Sequence, residues 1–351
     1  MATALAPLHR QRAAPRRNVA TIPHVSVVIV NYCQWRNTAQ LAKQLRHSYA
    51  ARDGSAEIVV VDNHSPSDPL LGRLRRTDGI SVRRFNRNRG FARAVNEGCR
   101  LSRGAWFLLL NPDMSAAPGF LDEVESLAQQ LIHEDPKAGV IGLSVRDTDG
   151  SPQPSCGPLP TLFNTLAGLL RPRSLRRCQA LAANNRVPVE WATGCALLVR
   201  RDCFEEIGGF DADFFLYYED VDLCLRAKEH GWNVLFEPNL PITHHTPLHG
   251  RSVPAQLRLI TRHALLTYAR KHWPRWQTLL LGGTIGLESL VRQTAAWWKR
   301  RPHDVFFHSQ IRKLVADVLR GRDAQIRSRI RQAASALTKI FNHETHETHE
   351  S

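Results

Sequence analysis

The chain has 351 residues, 43 % apolar and 23 % charged, which is ordinary for a globular protein and ample for a sizeable core. Its net charge of +15 is not ordinary, but the excess lies at the ends: +4 in residues 1–22, zero in 23–250 and +11 in 251–351. A neutral middle excludes the basic reading surface that a duplex-binding domain needs, so no nucleic acid is expected as a partner, and basic ends suit peripheral contact with an anionic membrane better.

The pattern along the chain predicts an α/β fold. Residues 1–22 form a basic arm without the apolar run of a secretory signal. VSVVIVNY (25–32) is a continuous β-branched run of the kind buried on both faces of a parallel sheet. A helix is expected from Thr38 to His47, a strand at AEIVVVDN (56–63), then a turn cluster and a helix over 68–77. ISVRRF (80–85) is a short strand, 91–102 a helix, and AWFLLLNPD (105–113) a buried strand ending in Asn-Pro-Asp. A helix over 118–134 and a strand over 138–145 follow. This alternation predicts a mostly parallel central sheet flanked by helices, with ligands bound beyond the carboxyl ends of the strands.

Residues 150–187, rich in Pro, Arg and Leu, are expected to form a mobile excursion over the site. Order returns with a strand over 189–201, helices near 202–208 and 219–230, and a strand over 233–238 that leads to His244 and His245. Beyond 255 the pattern is helical. The segment 276–291 is apolar but too short to span a bilayer, and is either an interfacial helix or one packed on the core. Residues 310–340 have the pattern of a basic amphipathic helix or helical pair broken near Gly321. HETHETHE (343–350) lies in a low-complexity tail, placed at 341–351. The seven cysteines form no CxxC pair, so neither a zinc site nor a disulfide framework is expected, and a reducing cytoplasm is the expected location.

Polar residues gather at the predicted strand ends: Asn31, Asp62, Asn63, Asn111 and Asp113. Asp113 ends a buried strand, where a carboxylate suits a hard divalent ion as well as it suits a turn. FDADFFLYYEDVDLCLR (210–226) sets Glu219, Asp220 and Asp222 behind a run of aromatics. A carboxylate in such a setting is suited to act as a base, although an acidic helix start also complements the helix dipole. NRNRGFARAVNEG (86–98) is neither a dinucleotide fingerprint nor a phosphate-binding P-loop, which argues against a dehydrogenase or a kinase.

Taken in order, VSVVIVNY, VVVDNHS, NRNRGFARAVNEG, LLLNPD, TGCALLVRR, GGFDADFFLYYEDVDLCLR and a later HH resemble the family 2 glycosyltransferases, in the bacterial rhamnosyltransferase-like branch. The match covers roughly residues 24–252. It implies a GT-A fold with a Rossmann-like nucleotide-binding half over 23–252, followed by a helical C-terminal extension over 253–340. It implies a hexosyltransferase acting in cell-surface polysaccharide synthesis at the inner face of the cytoplasmic membrane. The donor would be a dTDP- or UDP-sugar, the acceptor a glycan or lipid-linked glycan, and the cofactor Mg²⁺ or Mn²⁺. By resemblance Asp113 and His244 would hold the metal, with His245 the adjacent alternative. Asn31, Asp62, Asn63, Asn88, Gly90, Asn96 and Asn111 would line the nucleotide-sugar pocket. Asp220 would be the base of an inverting transfer, Glu219 would shape its surroundings, and Asp222 would support Arg226. The competing reading is a non-catalytic nucleotide-sugar or membrane-surface binding protein on the same fold. Such a protein would be expected to lose Asp113 or Asp220, and both are present.

Overall fold

The computed structural model describes residues 22–169, 181, 183–245 and 254–347. The basic arm, part of the excursion and the end of the tail lie outside them.

The chain enters the sheet at β1 (Val25–Asn31), and every residue of that strand is buried. Helices α1 (Trp35–Arg46) and α2 (Tyr49–Asp53) lead to β2 (Ala56–Asp62). The turn cluster at 64–69 ends in Asp68, which accepts from Leu70 N and caps α3 (Pro69–Arg75) with Pro at the favoured first position. Then come β3 (Ile80–Arg84), α4 (Phe91–Leu101), β4 (Trp106–Leu110), the two-residue β5 (Met114–Ser115), α5 (Phe120–Glu134) and β6 (Ala138–Arg146).

The excursion holds ordered pieces: β7 (Cys156–Gly157), α6 (Leu162–Leu169) and β8 (Val187–Pro188). The strand expected over 189–201 is two strands, β9 (Trp191–Ala192) and β10 (Ala196–Arg200), split by the Thr193–Cys195 turn. After α7 (Arg201–Glu206) and α8 (Glu219–Glu229) comes β11 (Asn233–His244), which runs further than periodicity implied because a register shift between Glu237 and Pro241 absorbs its prolines. Four helices close the chain: α9 (Ala255–His272), α10 (Arg275–Trp298), α11 (Pro302–Leu319) and α12 (Asp323–Glu347). The expected break falls at Gly321, and α12 continues to Glu347, into the segment expected to be tail.

The sheet order is β3-β2-β1-β4-β10-β6-β11-β5, with β8 also on β11. β1, β2, β3 and β4 pair in parallel, as do β6 and β11; β10 lies between β4 and β6 and is antiparallel to both. The carboxyl ends of β1 to β4, β6 and β11 therefore share one edge with the amino end of β10.

Alternate residues of the strands feed two cores, one per sheet face. Val27, Ile29, Val60 and Leu108 pack with α1 and α5; Val28, Val61, Leu109 and Val199 pack with α4, α8 and the C-terminal helices. The C-terminal helices are thus part of the second core. The apolar side of 310–340 is spent there as well, since Ile311, Leu314, Val318, Ile326 and Ile330 are buried. The stretch is thus the amphipathic helical pair that its pattern implied, with its apolar side turned into the core. Among the described residues no helix is long and apolar enough to cross a membrane.

Polar contacts fasten α9 to α8. Asp222 is fully buried and receives Arg226 (2.6 Å) on one oxygen and His272 of α9 (2.8 Å) on the other. Arg226 also donates to the carbonyls of Ile207 and Gly209. Asp222→Ala leaves the largely buried Arg226 guanidinium without its acid. We expect a loss of about 3–5 kcal/mol in stability, read by urea denaturation.

Candidate active site

The site lies along the common carboxyl edge, in three connected parts. The first is a row across β1, β2 and β3. Asn31, Asp62 and Arg84 are register partners on adjacent strands. Asn31 Nδ2 donates to Asp62 Oδ1 (2.9 Å) and to Ser65 Oγ (2.9 Å), while its Oδ1 accepts from Thr38 Oγ1 (2.8 Å). Arg84 Nε lies 3.0 Å from Asp62 Oδ2. Asn31 and Asp62 have no solvent exposure, so this row braces the strand ends from within. Thr38, Ser65 and Arg84 were not singled out from the sequence; their partnership depends on register between separate strands. Cys33 beside them is no nucleophile, because burial and the charge of Asp62 push its thiol up to about 11.

The second part is the loop after β3. Asn63 Nδ2 donates to Asn88 Oδ1 (2.9 Å), which also accepts from Gly90 N (2.9 Å), while Asn63 Oδ1 accepts from Arg89 N (2.8 Å). Gly90 has φ +88° and lies so close to Phe215 that a Cβ there would sit 2.7 Å from its carbonyl oxygen. Phe91 N donates to that same oxygen (2.8 Å). This contact joins the loop to the aromatic segment before α8. Asn96 stands apart from the pocket group: both ends of its amide bond the backbone of Phe210, at 2.7 and 2.9 Å. Its visible role is to hold the segment that carries Asp220.

The third part holds the acids. The Thr193–Cys195 turn meets the Asn-Pro-Asp segment through Asn111 N and Cys195 O (2.9 Å). In the same turn Gly194 N donates to Asp220 Oδ2 (3.0 Å), and Asp220 Oδ1 accepts from Val221 N (2.9 Å). Asp220 is in the first turn of α8, where the helix dipole favours a carboxylate, and it is partly exposed; Glu219 beside it is buried. Tyr217 and Tyr218, with φ of 71° and 66°, turn the chain sharply into that helix.

Asp113 is brought to His244 by the pairing of β5 with β11, where Met114 is opposite His244. His244 Nε2 lies 3.4 Å from Asp113 Oδ2. Gln153, which sequence reasoning missed, decides the orientation. Its Nε2 is identified by two acceptors, Asp147 Oδ1 (2.6 Å) and His244 O (3.0 Å), so its Oε1 faces His244 Nδ1 (3.0 Å). Nδ1 then carries a proton, so that in the neutral ring it is the lone pair of Nε2 that faces Asp113. The ring of His245 instead meets Ser115 Oγ, and its backbone N donates to Asp113 O. Among the described residues there is no group of three His, Cys, Asp or Glu side chains able to hold a metal. A carboxylate oxygen and an imidazole lone pair facing each other do fit a hard ion that takes its remaining ligands from phosphate and water.

A polar strand-edge row, a carboxylate–imidazole pair and a second carboxylate at a helix start share the carboxyl edge of a GT-A sheet. The family model described as "Glycosyltransferase like family 2" matches residues 23–264, and the chain belongs to that family. It is a glycosyltransferase of the rhamnosyltransferase-like branch, transferring sugar from a nucleotide sugar. It is 29 % identical over 276 residues, 72 % of this chain and 88 % of the relative, to the N-acetylglucosaminyl-diphospho-decaprenol L-rhamnosyltransferase of Mycobacterium tuberculosis. The low-salt glycan biosynthesis hexosyltransferase Agl10 of Haloferax volcanii is 29 % identical over 215 residues, 60 % of this chain and 63 % of the relative. Among solved structures, GalNAc-T7 with UDP, GalNAc and Mn²⁺ superposes with a TM-score of 0.50 at 17 % identity. That match covers 70 % of this chain and 48 % of the other, and bears on the fold alone.

Two glycines test this geometry. Gly90→Ala meets both an unfavourable φ and a backbone clash, so a loss of about 2 kcal/mol or more is expected by denaturant titration. A Cβ at Gly194 would lie 3.3 Å from Asp220 Cβ. Gly194→Ala should therefore shift the carboxylate and lower kcat more than it lowers the melting temperature.

Proposed function

We infer that the protein moves a hexose, rhamnose or one like it, from a dTDP- or UDP-sugar to a hydroxyl of a glycan or lipid-linked glycan, with inversion. The observation that carries this reading is the Thr193–Cys195 turn. Adjacent residues of one turn hold Asp220 on one side and the Asn-Pro-Asp segment on the other. A proton acceptor and a phosphate-side ion pair are thereby set at a fixed separation, as a single displacement requires.

Asp220 accepts the proton of the acceptor hydroxyl as that oxygen attacks the anomeric carbon from the face opposite the diphosphate. The bond to the diphosphate oxygen breaks with its electron pair as the new glycosidic bond forms, and the configuration inverts. Gly194 N–H and the start of α8 keep the carboxylate aimed. Asp113 and His244 are the residues that would hold a divalent ion, Mg²⁺ or Mn²⁺. When bound, such an ion neutralises charge on the departing nucleoside diphosphate. Asn63, Asn88 and Gly90 present the pocket wall to the nucleotide, over the floor made by Asn31 and Asp62. The relative from M. tuberculosis, named for a lipid-linked diphosphate substrate, supports an acceptor of that class here.

Asp220→Asn should retain donor binding by thermal shift while kcat falls about 10²–10⁴-fold. Near-normal turnover would remove Asp220 from the base role. Chelation should abolish transfer, with Mn²⁺ or Mg²⁺ restoring it. His244→Ala and Gln153→Ala should each weaken the ion's apparent affinity about 10–100-fold, while His245→Ala leaves it little changed.

A further inference from the structure

The outer face of α10 belongs to neither the core nor the site. With 100° between successive residues, Trp276, Leu280, Leu287, Val291, Trp297 and Trp298 lie on one side of this helix. All six are between 49 % and 82 % exposed. The opposite side carries Thr278, Leu281, Ile285, Ser289 and Ala296, all buried against the bundle. The helix is therefore apolar on both sides. Glu288 falls between the two, where Arg292 pairs with it at 3.1 Å and Arg262 of α9 reaches it at 2.9 Å. From Trp276 to Trp298 the exposed stripe is about 33 Å long. An apolar stripe of that length left open to water is the mark of a docking surface.

Its rim says what covers it. Arg275 stands at one end, and Lys299, Arg300 and Arg301 stand at the other, all exposed. Two tryptophans adjoin that basic cluster, at the boundary where indole rings favour a membrane interface. A second copy of the chain, paired about a twofold axis, would bring these bases against their own kind or leave them unanswered. An anionic bilayer offers apolar depth under the stripe and negative charge around its rim. We propose that α10 docks the protein side-on to an anionic lipid bilayer, with its Trp276–Trp298 face in the headgroup–acyl boundary. The contact stands apart from the sugar-transfer chemistry and needs no spanning helix.

The test is flotation of the full-length protein with phosphatidylcholine vesicles, with and without phosphatidylglycerol. The wild type is expected to float with the anionic vesicles and to lose partition as salt rises. The L287E/V291E variant is expected to lose about tenfold or more of that partition, with an unchanged melting temperature because both side chains are exposed. W297S/W298S, at the other end of the stripe, should show the same direction of loss. Equal flotation of both variants and the wild type would overturn the proposal, because the basic ends alone would then do the binding. A wild type that ignores vesicles and sediments as a dimer, which L287E/V291E makes monomeric, would overturn it in favour of a second copy. Donor binding by L287E/V291E should match the wild type, so failure of flotation leaves the transfer reading intact.

Discussion

The hydrogen bond from Gly194 N to Asp220 Oδ2, with its neighbour from Asn111 N to Cys195 O, is the constraint on which the site depends. Both bonds are made by one turn, and that turn is where it is because β10 runs against the strands around it. In an all-parallel edge the amino end of β10 would lie on the far side of the sheet. Reversal places it between the ends of β4 and β6. The acid that follows β4 and the acid that opens α8 then share a support made of backbone. Backbone donors held by a sheet lose no side-chain entropy when they engage, so the geometry is set before any ligand arrives.

The same edge divides labour among polar residues. Asn31 and Asp62 are buried and bonded to each other, and the half-buried Arg84 pairs with Asp62, so the three fix the strand ends beneath the site. Asn63, Asn88 and Gly90 form the wall, and Gly90 joins that wall to the segment bearing Asp220 by close approach. Gln153 holds the ring of His244 from behind and leaves Nε2 for Asp113.

The C-terminal helices are tied to this arrangement at several points. His272 bonds Asp222 two residues beyond Asp220, and Lys271 bonds both Asp211 and Asp213 at 2.8 Å. Its hydrogen bond holds the Asp213 carboxyl below the usual range. The ring of Tyr268 packs 5.7 Å from that of Tyr218. Movement of α9 relative to α8 would therefore be felt at the turn into the segment that bears Asp220. The face of α10 that meets water is continuous with the bundle that makes these contacts.

Local sequence was enough for much of this. β-Branched runs such as VSVVIVNY are stable as strands with both faces covered, and the helical stretches between them dictated an α/β sheet with polar residues at its carboxyl edge. Order and spacing of short motifs carried the family and named Asp113, Asp220 and His244. That His244 rather than His245 faces Asp113 was not legible, because the ring is oriented by Gln153, ninety-one residues away, and by the pairing of β5 with β11. Nor was the inward role of Asn96, since an amide bonding a backbone 114 residues on has the same local sequence as one lining a pocket. The 276–291 segment posed a choice between core and interface that composition could not resolve. A helix apolar on both sides has no polar face to betray its orientation, and only packing against α9 and α11 decides which side is left for another surface. Sequence determines what each segment can bury and what chemistry its ends carry; tertiary structure decides which ends meet, because register and strand direction depend on contacts that no local stretch contains.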